Sequence, residues 1–165
     1  RSIALLSAQL GLRNGEIRHL RFDDLDWRRG VLRVVESKGG KSRELPLPER
    51  AGEALAEYIR HGRPYSPHRE VFVRHRAPGG LITTAGSVAG IIRRLAKRAG
   101  VVLPMHGSNV LRHSLATYLV NHDVPIKAIS DLLGHDSIDT TAIYTLVDMS
   151  TLSSVAQPFP GKVTR

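Results

Sequence analysis

Only one stretch of this chain carries a β-type apolar run with a matching partner. Val31, Leu32, Val34 and Val35 form the first strand, and Arg43 to Leu47 reads as the second. Between them, Ser37-Lys38-Gly39-Gly40-Lys41 supplies a hairpin loop whose two glycines can take positive φ. Val71 to Val73 is the expected third strand. The rest of the chain has helical spacing or loop composition. The fold class that follows is α+β: mainly α-helical, with a small antiparallel three-stranded sheet.

The helices are marked by their stops and starts. Ile3, Ala4, Leu5, Leu6 and Leu10 predict a buried helix ending at Gly11, and Glu16 to Leu20 a second, short one. Asp23, Asp24 and Asp26 predict a turn. Pro48 opens a helix with Ala51, Leu55, Ala56 and Ile59 on one face. Residues 62–70, with Gly62, Pro64 and Pro67, read as a loop. Thr84 or Ser87 is the expected cap of a helix over Val88 to Ala99, stopped by Gly100. A helix over 109–121 follows. Asp123 is expected to cap the next, with Pro125 in its first turn and Gly134 at its end. Asp136 or Ser137 then caps a helix carrying Tyr144. Beyond Asp148 a weak pattern of Met149, Leu152 and Val155 fades into a tail over 149–165.

At 165 residues, 41% hydrophobic and 24% charged, the chain has the make-up of one globular domain with a real core. No cysteine is present, so neither a disulfide framework nor a thiolate metal site is available, and a reducing cytoplasm is the expected setting. No apolar run reaches the length of a membrane span. The helical pattern is already under way at Arg1, so a piece of a longer chain is expected. Lys and Arg number 24 against 15 Asp and Glu, a formal charge of +9. That surplus points to a polyanionic partner, nucleic acid first.

Three segments carry the chemistry: Gly11-Leu12-Arg13-Asn14-Gly15-Glu16, Asn109-Val110-Leu111-Arg112-His113, and Leu132-Leu133-Gly134-His135 followed by Tyr144. Together they resemble the tyrosine recombinase (phage integrase) family, with the spacing of its Xer-type members. The first is similar to the family's first arginine motif, with its acidic residue three positions on. The second is similar to its His-x-x-Arg motif, with Asn109 where His is usual. The third is similar to its Leu-Gly-His motif, with the nucleophile nine residues later and 23 residues separating Arg112 from His135. Ser37 to Leu47 resembles the hairpin bearing the family's lysine, here Lys38, with Lys41 as a rival. The resemblance runs from about Ser2 to Asp148.

It implies a catalytic domain whose pocket holds Arg13, Lys38, Asn109, Arg112, His135 and Tyr144, supported by Glu16 and His113. It implies site-specific cutting and rejoining of double-stranded DNA through a 3′-phosphotyrosine, without cofactor or metal. It further implies an N-terminal helical domain preceding this region, and a tetramer on DNA that the fragment alone does not form. Two other readings stay open: strand relaxation in the manner of a type IB topoisomerase, and a DNA-binding relic of a mobile element that has lost catalysis.

The residue types suit that chemistry. Attack on a phosphodiester builds negative charge on the non-bridging oxygens. Two arginines can clamp that charge with planar donors that never deprotonate. Arg112 falls in the first turn of its helix, where the dipole also favours an anion. His135 follows a helix-ending glycine and is placed to donate a third hydrogen bond. The phenol of Tyr144 is the nucleophile, and the leaving 5′-oxygen takes its proton from a hairpin lysine. On a helix Tyr144 shares a face with Thr140, Thr141 and Asp148, not with Ile138 and Ala142, so it is not a core tyrosine. Asn109 can donate a hydrogen bond but cannot act as a base near neutral pH. His106, three residues earlier, is the candidate to replace that function.

Overall fold

The structure, a computed structural model, describes residues 1–35, 42–75, 80–103 and 109–134. Helix α1 (Ser2–Leu10) buries Ile3, Leu6, Ser7 and Leu10, the i, i+3, i+4, i+7 stripe of a core-facing helix. It stops at Gly11, whose φ of 61° is left-handed. Arg13 is the N-cap of α2 (Asn14–His19), where the Arg13 amide donates to Glu16 Oε2 at 2.7 Å. This carboxylate satisfies one of the amides that a helix start leaves open.

The sheet is three-stranded and antiparallel in the order β1 (Leu25–Asp26), β2 (Val31–Val35), β3 (Ser42–Pro46). Leu25 faces Leu32, and Leu32 faces Leu45, so one face of the sheet delivers these leucines to the core. The third strand is therefore not Val71 to Val73, as the sequence predicts. Those three residues are all buried, and among the described residues the strand-type pairing around them is limited to the isolated bridges Arg21 to Glu70 and Val73 to Leu81. The aspartate-rich stretch read as a turn instead makes a 3₁₀ turn (Phe22–Asp24) and then enters the sheet. Asp24 accepts the Arg21 amide at 2.8 Å and so caps the start of the turn, and the Leu25 amide closes it by donating to Phe22 O.

Helix α3 (Glu49–Glu57) follows Pro48 and continues as a wider turn over Tyr58–Gly62. Helix α4 (Ala85–Arg98) has Thr84, one of the two expected caps, at its N-cap and starts at Ala85, three residues before the expected Val88. Helix α5 (Val110–Asn121) packs along α1. Its end corrects a second expectation. Asp123 does not cap the following helix. It has φ 56°, its amide donates to Val120 O at 3.1 Å, and the Val124 amide donates to Leu119 O at 3.1 Å. These two bonds form the closing motif of α5, for which an aspartate tolerates the left-handed conformation. Helix α6 (Ile126–Leu133) begins after Pro125, which occupies the N-cap, and ends on Gly134 at φ 64°. No helix among the described residues is long and apolar enough to cross a membrane.

One large core joins α1, α3, α4, the sheet and the 71–73 segment, and Ile129 and Leu133 of α6 close a smaller one with Ala116. Gly11 sits between them. A methyl group there would lie 2.5 Å from Leu133 Cδ2 and 3.2 Å from Leu115 Cδ2. Gly11→Ala therefore combines a left-handed penalty of about 1–2 kcal/mol with an overpacking cost of about 1–3 kcal/mol. Urea unfolding should show their sum; a change within error would mean that α6 gives way at no cost.

Candidate active site

The last turn of α6 organises the site. A helix C-terminus leaves its final carbonyls without intrahelical partners and carries roughly half a negative charge. Here three guanidinium groups from three other elements meet that need. Arg43 Nε, from β3, donates to Leu132 O at 3.1 Å. Arg112 Nη2, from the first turn of α5, donates to Leu133 O at 2.7 Å. Arg13 Nη2, from the start of α2, donates to Gly134 O. Arg112 also binds the end of α1, with Nη1 donating to Gly11 O at 2.6 Å.

Glu16 balances part of this charge. Its buried carboxylate accepts both terminal nitrogens of Arg43, at 3.0 and 3.1 Å, and Arg13 Nη1 at 3.3 Å. Arg13 and Arg43 thus share the Glu16 carboxylate, while Arg112 stands on the neighbouring Leu133 carbonyl, and planar cations grouped in this way suit an anion. The arginines differ in access. The Arg13 side chain is 38% exposed and that of Arg43 13%, while Arg112 as a whole is 5% exposed.

Of the residues the sequence singled out, Arg13, Glu16 and Arg112 come together at the end of α6. Glu16 accepts hydrogen bonds from Arg13, and the two arginines reach adjacent carbonyls. Asn109 is the exposed N-cap of α5, one helical repeat before Arg112, and its side chain makes no capping hydrogen bond. Its carbonyl accepts the His113 amide at 2.8 Å. Burial, and then the neighbouring Arg112 charge, lower the His113 pKa below its ordinary 6.5, so the ring is neutral at neutral pH. Lys38, Lys41, His106, His135 and Tyr144 lie outside the described residues.

Arg43 is the participant that sequence reasoning missed. From the sequence it is only the first residue of the second strand. A signal was present: Arg43 lies two residues before buried Leu45, so strand alternation places it on the inward face. A cation on that face needs a buried acid, and Glu16 is one.

Comparison with known proteins fits this geometry. The model of the phage integrase family matches residues 1–151. The chain is 44% identical to the protein y4rF of Sinorhizobium fredii, over 98% of this chain and 38% of that one. It is 33% identical to the tyrosine recombinase XerA of Pyrococcus furiosus, over 95% of this chain and 53% of that one. This chain therefore spans 38% and 53% of the length of these two relatives. Among solved structures, XerA recombinase aligns with a TM-score of 0.76 at 30% identity, covering 93% of this chain and 55% of that one. The XerH site-specific recombinase, in a post-cleavage complex with a palindromic difH substrate, aligns at 0.74 with 26% identity, covering 94% and 44%. The chain belongs to the phage integrase family of tyrosine recombinases and has the fold of their catalytic domain.

Proposed function

We propose that this chain is the catalytic part of a site-specific DNA recombinase that cuts and rejoins strands through a phosphotyrosine. The observation that carries the reading is the meeting of Arg13 and Arg112 at the end of α6, immediately before His135 in the sequence. Two guanidiniums held in one place suit the charge that develops on a phosphodiester under attack. The four exposed cations of α4, Arg93, Arg94, Lys97 and Arg98, add a basic surface for the DNA backbone. The complex of XerH with its substrate supports double-stranded DNA as the partner.

In this reading the Tyr144 oxygen attacks the scissile phosphorus and the bond to the 5′-oxygen breaks. The phenol proton leaves to water, and the Lys38 ammonium protonates the 5′-oxygen. Arg13, Arg112, His135 and the Asn109 amide hold the non-bridging oxygens. The 3′-phosphotyrosine retains the energy of the broken bond, so a 5′-hydroxyl from a second duplex can reverse the step. Exchange between two duplexes requires a tetramer of the full-length protein.

The test separates the general acid from the other groups. A nicked suicide duplex traps the adduct on a denaturing gel. When a bridging sulfur replaces the 5′-oxygen, the leaving group needs no proton. Lys38→Ala should cut ordinary cleavage by about 10²-fold or more and regain it on the sulfur-containing duplex. Rescue of Lys41→Ala instead would move the role to Lys41, and no adduct from the unaltered protein would refute the recombinase reading.

A further inference from the structure

We propose that Arg43 is a positioning residue for strand cleavage, holding three chemistry-bearing segments in one geometry. The inference rests on the recombinase reading above and adds a residue to it. Arg43 stands at the foot of the β2–β3 hairpin, immediately after the segment that contains Lys38 and Lys41. Its Nη1 and Nη2 grip both oxygens of Glu16 as a planar fork, at 3.0 and 3.1 Å. The same carboxylate accepts the Arg13 amide and the Arg13 guanidinium. The remaining edge of Arg43 reaches across to Leu132 O at 3.1 Å, in the last turn before Gly134 and His135. One side chain therefore bonds to α2 and α6 from β3, and each of these elements leads directly to an expected site residue.

The geometry requires the fork itself. Glu16 is buried, and its two oxygens face two guanidiniums. Without Arg43, the carboxylate keeps only Arg13 among these two partners. That draws Arg13 toward Glu16 and away from the α6 carbonyl it shares the site with. A lysine preserves the charge but presents a single ammonium, which cannot hold both carboxylate oxygens and a carbonyl in one plane. Leu45, two residues on and buried, anchors β3 in the core independently, so Arg43 is not needed to form the strand.

Two measurements decide it. The first uses the chain alone. In Arg43→Ala, hydrogen exchange at the Leu133 and Gly134 amides should quicken by about tenfold, the scale of one charged hydrogen bond, while Leu6 in the main core stays protected. Unchanged protection at the end of α6 overturns the proposal. The second uses full-length protein and a nicked duplex selected from a random-sequence library by covalent capture with the unaltered protein. Single-turnover cleavage by Arg43→Ala should fall by about a hundredfold at saturating DNA, with DNA affinity unchanged. In the double variant with Arg13→Ala, the two losses should not multiply, because Arg43 acts through Arg13. Losses that multiply, or a parallel loss of DNA binding, would make Arg43 a mere fold clamp and overturn the proposal. Where Arg43→Ala does not fold, Arg43→Lys is read in the same way. If the library yields no adduct with the unaltered protein, the recombinase reading fails, whereas normal cleavage by Arg43→Ala defeats this inference alone.

Discussion

Tyr144→Phe is expected to abolish the covalent protein–DNA adduct while DNA affinity stays as it was. The substitution removes one oxygen, and that oxygen is the atom proposed to bond to phosphorus. Any alternative nucleophile would have to stand in line with the leaving 5′-oxygen. Affinity should be retained if, as proposed, it comes from many phosphate contacts spread over the surface, such as those open to the cations of α4. The measurement is a denaturing gel of protein incubated with a nicked suicide duplex, alongside a binding titration at one fixed salt concentration. An adduct of undiminished yield from Tyr144→Phe would show that the nucleophile lies elsewhere in the chain.

Arg112→Ala should cost both reaction and fold, and Arg13→Ala mainly reaction. From the sequence, the two arginines are equivalent clamps, each worth about 3–4 kcal/mol of transition-state stabilisation. The structure separates them. Arg112 is buried and joins the end of α1 to the end of α6 through Gly11 O and Leu133 O. Removing it takes away the donor to each of these two carbonyls, at about 1–3 kcal/mol apiece. Arg13 is over one-third exposed, and water can replace its bond to Gly134 O. Urea unfolding of both variants checks the split, with single-turnover cleavage as the second axis. If the two variants lost equal stability, the buried span between α1 and α6 would not carry the load assigned to it.

Most of the architecture was legible in order along the chain. The stripe of Ile3, Leu6 and Leu10, the stop at Gly11 and the stop at Gly134 depend on local rules, and the structure follows them. The hairpin strands were legible for the same reason: β2 alternates buried and exposed positions and β3 begins within a residue of the expected start. The third strand was not. Leu25 and Asp26 are too few to show a period, and their pairing depends on β2 lying beside them. Val71 to Val73 has the composition of a strand and is buried throughout, but it is joined to its neighbours by isolated bridges and not by a ladder. The role of Asp123 was misread because a left-handed residue that closes α5 and a cap that opens α6 occupy neighbouring positions, and only backbone angles tell them apart.

The site divides along the same line. Arg13, Glu16 and Arg112 stand out in the sequence as residue types at fixed spacings, because planar cations suit the charge on a phosphodiester and a carboxylate can orient them, and the structure brings these three together. Glu16 even lies within reach of Arg13 by helical spacing alone. What spacing does not contain is the end of α6 as the common target. Leu132, Leu133 and Gly134 are reached by Arg43, Arg112 and Arg13 from positions 89, 21 and 121 residues away. Local sequence determined which segments would be helices, where they would stop, and which side chains had the chemistry for a phosphate. Only the tertiary structure decided that two of those side chains, Arg13 and Arg112, would meet Arg43 at one helix terminus. Unsatisfied carbonyls and a helix dipole draw whatever cations packing brings near, and packing is a property of the whole chain.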